Sequence, residues 1–196
     1  MSAAPPAIRS VCVFCASSRH ASPAMVECAR ELGSALGSRG FELVFGGTDV
    51  GLMKVLADAA RGAGARIVGV LPRFMHEKGI AYGHADELLI TDDMHARKAL
   101  MEARADAFVA LPGGIGTLEE LAEVLSLRVL GLHAKPIVLL DADGYYAPLL
   151  SWIDQMVATG LAKPIARESL LVATNVEAAL ALLGTWRAPA VPSKWT

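Results

Sequence analysis

Ala107-Phe108-Val109-Ala110-Leu111-Pro112-Gly113-Gly114-Ile115-Gly116-Thr117-Leu118-Glu119-Glu120 is the stretch that decides the fold. Its first five residues have no polar face, so they read as a strand covered on both sides. Three glycines within four positions then turn the chain. From Thr117 the apolar residues recur with helical period as far as Gly131. Strand, glycine turn and helix in this order make half of a βαβ unit, whose next strand must run parallel to the first.

The alternation continues in both directions. Strand-like runs lie at 10–16, 42–45, 66–70, 87–91, 107–111, 136–140 and 170–173. Helical segments lie at 22–39, 51–62, 92–104, 117–131, 146–159 and 176–184. Ser22 as N-cap, Pro23 at the first helical position and Gly40 past the end punctuate the first helix. The pattern predicts an α/β protein: a single-domain, Rossmann-like, doubly wound sheet of about seven parallel strands flanked by helices. Its crossovers should be right-handed, with ligands bound beyond the carboxyl ends of the strands. One nucleotide-binding domain is expected over 1–196, with a core at 8–184 and loose, proline-containing ends at 1–7 and 188–196.

Composition agrees. The 196 residues are 54% hydrophobic and 19% charged, which excludes disorder for most of the chain. A formal net charge of −2 excludes a basic surface built to neutralise nucleic-acid phosphates. Mean hydropathy is +0.43, yet no apolar run reaches the roughly 18 residues of a membrane span. Three cysteines and no signal-peptide layout point to a reducing, cytoplasmic setting.

The 112–117 loop has the makings of a phosphate cradle. Glycines allow close approach of an anion, and a helix start offers free N–H groups at the positive end of a dipole. An ordinary strand-to-helix turn is the plain alternative. A second loop, Phe45-Gly46-Gly47-Thr48-Asp49-Val50-Gly51-Leu52-Met53, also joins a strand to a helix, so a nucleotide could lie between the two. There is no Walker A pattern and no G-x-G-x-x-G, which argues against nicotinamide chemistry. Ser17, Ser18 and Arg19 end the first run and are candidates for a phosphate or ribose contact, or for a polar cap on the next turn.

Met94, Arg97, Lys98 and Met101 share one helical face. Two cations bracketed by methionines suit a cleft wall that grips an anion, or else two side chains snorkelling over a packed face. Thr117-x-x-Glu120 fits a capping box, in which the glutamate bonds back to its own helix start. Cys12 and Cys15 lie three apart on a strand and point to opposite faces, so they cannot clamp one metal. No metal cluster is visible, and His95 and His133 suit structural or rim roles.

Taken together these motifs resemble the LOG (Lonely Guy) family, whose members are often mislabelled lysine decarboxylases. Pro112 to Glu120 is similar to its P-G-G-x-G-T-x-x-E signature, and Met94 to Met101 to its M-H-x-R-K-x-x-M motif. Gly46-Gly47 through Met53, Leu132-His133-Ala134-Lys135-Pro136 and Asp143-Gly144-Tyr145-Tyr146 resemble further family segments. The resemblance implies a phosphoribohydrolase without cofactor, which cleaves a nucleoside 5′-monophosphate such as a cytokinin riboside monophosphate or AMP to free base and ribose 5-phosphate. It implies Arg97 and Glu120 as the catalytic pair. Gly46, Gly47, Met94, Lys98, Gly113, Gly114, Ile115, Gly116, Thr117 and Glu119 would then line the phosphate and substrate site. Ala16, Thr48, Lys54 and Gly79 depart from the family pattern, with Glu77 near the position where many members carry a substrate-contacting glutamate.

Two other functions compete. A non-catalytic nucleotide or cofactor carrier would need the glycine cradles without a carboxylate against the sugar. A true lysine decarboxylase would need a Schiff-base lysine, for which Lys98 is the candidate near the glycine loops. The apolar end of the 117–131 segment (Val124, Leu125, Leu127, Val129, Leu130, with Leu132 beyond it) calls for a second surface to cover it, hence a homodimer or higher even oligomer.

Overall fold

The computed structural model describes residues 7–141 and 143–190. Seven strands form one all-parallel sheet: β1 (Ser10–Phe14), β2 (Glu42–Phe45), β3 (Ile67–Pro72), β4 (Glu87–Thr91), β5 (Ala107–Ala110), β6 (Ile137–Leu140) and β7 (Leu170–Ala173). Their order across the sheet is β4-β3-β2-β1-β5-β6-β7. The chain steps outward one way from β1 and then the other way from β5. The β1/β5 boundary is therefore the point where topology reverses and loops diverge to leave a crevice.

The helices are α1 (Pro23–Ser38), α2 (Gly51–Gly62), α3 (Arg73–His76), α4 (Met94–Arg104), α5 (Ile115–Val129), α6 (Ala147–Ala158), α7 (Ile165–Glu168) and α8 (Val176–Thr185). Two cores sandwich the sheet. Val11, Val13 and Cys15 of the first strand region face α1, α2 and α8. Cys12 and Phe14 face α4, α5 and α6. Cys12 and Cys15 thus lie in opposite cores, as strand alternation requires. The two layers on one face knit tightly: a Cβ on Gly33 would meet the Leu56 carbonyl, so α1 and α2 touch backbone to backbone.

The expected fold class is what the structure has, with shifted ends. Ser22 accepts the Met25 N–H at 3.3 Å and starts α1 as expected. β3 runs two residues past the expected end, to Pro72, because its pairing with β4 continues to Thr91. The four-residue helices α3 and α7 were not expected; they are too short for a periodic signal. Of the expected loose ends, 1–6 and 191–196 lie outside the described residues. At the other end, Arg128 Nη2 donates to the Pro189 carbonyl at 2.5 Å.

Candidate active site

Three sheet-edge segments converge beyond the carboxyl ends of the strands: the loop after β2, the start of α4 and the start of α5. Asp93 caps α4, its carboxylate accepting the Ala96 N–H at 2.8 Å. That phase turns Arg97, Lys98 and Met101 inward, and all three are buried. Met94 is half-buried and His95 exposed. Arg97 ends in a buried ion pair, whereas the buried stem of Lys98 carries its ammonium out to partly exposed carboxylates, which keeps the snorkelling alternative for that side chain.

Arg97 is 4% exposed and Glu120 5%. Arg97 Nη1 donates to Glu120 Oε1 at 2.7 Å, and Arg97 Nε donates to the Val70 carbonyl of β3 at 3.1 Å. Gly46 makes the room: a Cβ there would collide with Arg97 Nη2 and stand 3.0 Å from Met53 Sδ. Gly47 is left-handed at φ +70°, and a Cβ on it would press on the Val70 N at 3.1 Å. Both glycines, expected at a second phosphate cradle, are buried, and the structure uses their missing side chains for packing. The loop they begin is itself paired: Asp49 N–H donates to the Ile80 carbonyl at 2.8 Å, and Tyr82 N–H to the Gly47 carbonyl at 2.9 Å.

The capping-box reading of Glu120 is corrected. α5 begins at Ile115 with Gly114 as N-cap, so Thr117 is already inside the helix and Glu120 lies a turn further in. At that depth its carboxylate reaches across to α4 instead of back to the helix start. Burial pushes the Glu120 carboxyl above its ordinary range, and the Arg97 guanidinium pulls it partly back.

The α5 start has the geometry of an anion site. Gly114, Ile115 and Gly116 are exposed, Ile115 at 81%. Among the described residues, no acceptor faces the N–H groups of Gly114, Ile115, Gly116 and Thr117, whereas Leu118 N–H already bonds the Gly114 carbonyl at 3.0 Å. Four free donors at the positive end of a helix favour a phosphate. Gly113 is needed because a Cβ would collide with Thr117 Oγ1, which packs directly against it.

The other expected residues sit at this edge with different partners. Lys98 Nζ is ion-paired with Glu119 and, at 3.2 Å, with Glu123 Oε2, which raises its pKa. Lys98 and Glu119 therefore answer each other. Ser17 and Arg19 are exposed, and the Ser17 carbonyl packs on Gly51 at the start of α2. Ser18 Oγ accepts the His20 N–H at 3.1 Å, the polar-cap alternative. Glu77 is exposed at the end of α3, and Gly79 takes φ +70°, a turn position unsuited to glutamate. Lys54 bridges Asp49 at 2.9 Å and Asp58 at 3.1 Å, and Thr48 Oγ1 donates to Met53 Sδ at 3.1 Å. His133 is structural: Nδ1 accepts the Lys135 N–H at 3.2 Å and Nε2 lies 2.8 Å from the Val124 carbonyl.

Two tyrosines belong to the site but carried no expected role. Tyr145 hydroxyl donates to the Gly113 carbonyl at 2.5 Å, and Tyr146 hydroxyl to the Leu111 carbonyl at 2.6 Å. A polar tip on each aromatic ring, next to the Gly144 turn, was the available signal.

Comparison with known proteins identifies the family. A family described as "Possible lysine decarboxylase" matches residues 53–183. The chain is 44% identical over 169 residues to cytokinin riboside 5′-monophosphate phosphoribohydrolase LOG7 of Arabidopsis thaliana, covering 86% of this chain and 78% of that protein. It is 44% identical over 172 residues to the cytokinin riboside 5′-monophosphate phosphoribohydrolase of Mycobacterium tuberculosis, covering 87% and 91%. Solved structures with this fold include a molybdenum cofactor binding protein from Rippkaea orientalis, with a TM-score of 0.68, 22% identity and coverage of 90% and 96%. The molybdenum cofactor carrier protein of Chlamydomonas reinhardtii matches with a TM-score of 0.69, 24% identity and coverage of 88% and 94%. Those two likenesses concern the fold alone. With its signature motifs assembled at one sheet edge and relatives of this identity over most of its length, the chain belongs to the LOG family.

Proposed function

We propose that this chain, as one nucleotide-binding domain, hydrolyses the N-glycosidic bond of a nucleoside 5′-monophosphate, a cytokinin riboside monophosphate or AMP. Water adds its oxygen to C1′, the C1′–N bond breaks, and the proton released ends on the departing base. The products are free base and ribose 5-phosphate. The observation that carries this reading is the buried Arg97–Glu120 pair one helical turn from four unpartnered N–H groups. A carrier needs only the cradle.

The donors at 114–117 and the Thr117 hydroxyl take the 5′-phosphate. That fixes the sugar and turns remote binding energy into alignment. Glu120, ionised, lies against the sugar, stabilises positive charge building at C1′ and orients the attacking water. Arg97 holds the carboxylate in place through Nη1 while Nε is anchored on β3. Met94 and the side chains around Gly46 form the wall behind the pair. Lysine decarboxylation fits less well, because Lys98 is held as an ammonium by two carboxylates, whereas a Schiff base needs the free amine.

The chain works as a homodimer or higher even oligomer. Ile115, Leu118, Leu130 and Leu132 leave 81%, 39%, 47% and 67% of their surface exposed along α5 and just beyond it. Exposed apolar side chains at both ends of one helix favour a two-fold partner. Free thiols at Cys12, Cys15 and Cys28 support a cytoplasmic setting.

Incubating the protein with a panel of nucleoside 5′-monophosphates and measuring released base by chromatography tests the function. Release of base with equimolar ribose 5-phosphate is expected. Intact nucleotides throughout would overturn it.

A further inference from the structure

The phosphate cradle is held from outside by the two tyrosines that follow Gly144. A loop that binds an anion through its N–H groups must turn its carbonyls away from the ligand, because carbonyl oxygens repel negative charge. In 111–114 the carbonyls of Leu111, Gly113 and Gly114 are all engaged. Leu111 bonds the Tyr146 hydroxyl, Gly113 the Tyr145 hydroxyl, and Gly114 the N–H of Leu118. The two rings lock each other edge to face, 5.3 Å between centroids and 88° between planes. Gly144, left-handed at φ +72°, sets the turn from which they project.

We propose that Tyr145 is a positioning residue for the substrate phosphate, acting through the Gly113 carbonyl, with Tyr146 as the buried anchor of the same clamp. This rests on the phosphoribohydrolase reading above. The Gly113 carbonyl and the Gly114 N–H belong to one peptide group. A phenol donating to that carbonyl both fixes the plane of the peptide and polarises it, so the Gly114 N–H becomes a better donor to an anion. Tyr146 acts one step earlier. The Leu111 carbonyl precedes proline, so its peptide carries no N–H, and the bond sets only the direction in which the loop leaves β5.

The two residues separate experimentally because their burial differs. Tyr146 is 5% exposed, so Tyr146→Phe strands a buried carbonyl and lowers stability. Tyr145 is 45% exposed, so Tyr145→Phe lets water reach the Gly113 carbonyl and leaves the fold intact. The test is Tyr145→Phe, read in two ways. In steady state, KM for AMP should rise up to about 10-fold with kcat within about 2-fold, the upper end of what one neutral hydrogen bond contributes. On adenosine, which has no phosphate, kcat/KM should be unchanged. By calorimetry, ribose 5-phosphate should bind up to about 10-fold more weakly than to the parent protein. Unchanged affinity for ribose 5-phosphate, or equal losses on adenosine and AMP, would overturn the clamp while leaving the function standing. A parent protein that neither releases base nor binds ribose 5-phosphate would overturn both.

Discussion

Arg97 and Glu120 face each other across 2.7 Å inside the protein, each about 95% removed from solvent, with α4 and α5 supplying one charge apiece. A pair at this depth behaves differently from a surface pair. Removing one partner strands the other's charge, at a cost of about 3–5 kcal/mol. Arg97→Ala and Glu120→Ala should therefore lower stability as well as abolish base release. Glu120→Gln keeps an oxygen to accept from Arg97, removes the negative charge and replaces the second oxygen by an NH2 group, so it should lose less stability than Glu120→Ala. It should fold and lose at least about 10²-fold in kcat, the scale of a placed electrostatic group. The double variant Arg97→Met/Glu120→Leu should recover most of the stability lost by the single truncations and none of the activity. Thermal melts beside a base-release assay check all of these. Near-normal turnover by Glu120→Gln would leave Glu120 as a structural partner only.

Acid should inactivate the enzyme before it unfolds it. Burial holds the Glu120 carboxyl above its ordinary range, net of the lowering by Arg97. The ionised form stabilises the cationic sugar, so kcat/KM should fall as pH drops through that raised pKa, on a limb lying above about 4.3, the usual glutamate value. The sign for stability is opposite. A carboxyl that binds its proton more tightly when folded favours the fold below the unfolded pKa, and that contribution is lost as pH rises through the folded pKa. A pH–rate profile recorded beside circular dichroism separates the two. An acid limb coincident with unfolding would count against this assignment.

Gly46→Ala should damage catalysis although residue 46 need not touch substrate. The added Cβ collides with Arg97 Nη2 and crowds Met53 Sδ at 3.0 Å. Overpacking of this kind costs about 1–3 kcal/mol and displaces the guanidinium from Glu120. Gly62→Ala, at the end of α2 with nothing within 4 Å, is the control and should be neutral or stabilising by up to about 1 kcal/mol. Equal activity in the two variants would mean that Arg97 tolerates displacement.

The 5′-phosphate should be required. Without it, the four N–H groups at 114–117 return to water and the sugar loses its alignment against Glu120. Two or three charge-assisted hydrogen bonds at roughly 1.5–3 kcal/mol each predict adenosine at least about 10²-fold below AMP in kcat/KM. ATP should also be poor, since the buried Lys98 is already committed to Glu119 and Glu123. One assay with adenosine, AMP and ATP decides this. Equal rates on adenosine and AMP would make the glycine loop a turn and nothing more.

Light scattering at micromolar concentration should give an even multiple of 20.6 kDa. Leu132→Glu, at a residue 67% exposed, should shift the population toward the monomer with little change in melting of the protomer. A monomer in the parent protein would overturn the oligomer proposed from these exposed side chains.

Periodicity was enough for the doubly wound sheet, because strands covered on both faces cannot hide their apolar runs and helices cannot hide their 3.6 repeat. Resemblance to the family motifs, and not spacing, put Arg97 and Glu120 forward as a pair, and the fold brings the two side chains together. Three things depended on contacts between residues far apart in sequence. Local pattern made Glu120 a cap, and only the start of α5 at Ile115, two residues into the glycine run, turned its carboxylate toward Arg97 23 positions away. Gly46 and Gly47 read as a cradle, whereas the close passage of Arg97 and β3 makes them space for side chain and backbone. Tyr145 and Tyr146 carry no spacing relation to Gly113 and Leu111, 32 and 35 residues earlier, and meet them only because β6 lies beside β5. Helix and strand follow from neighbours a few residues apart; the partner of a buried charge or of a loop carbonyl follows from which strands the sheet sets side by side.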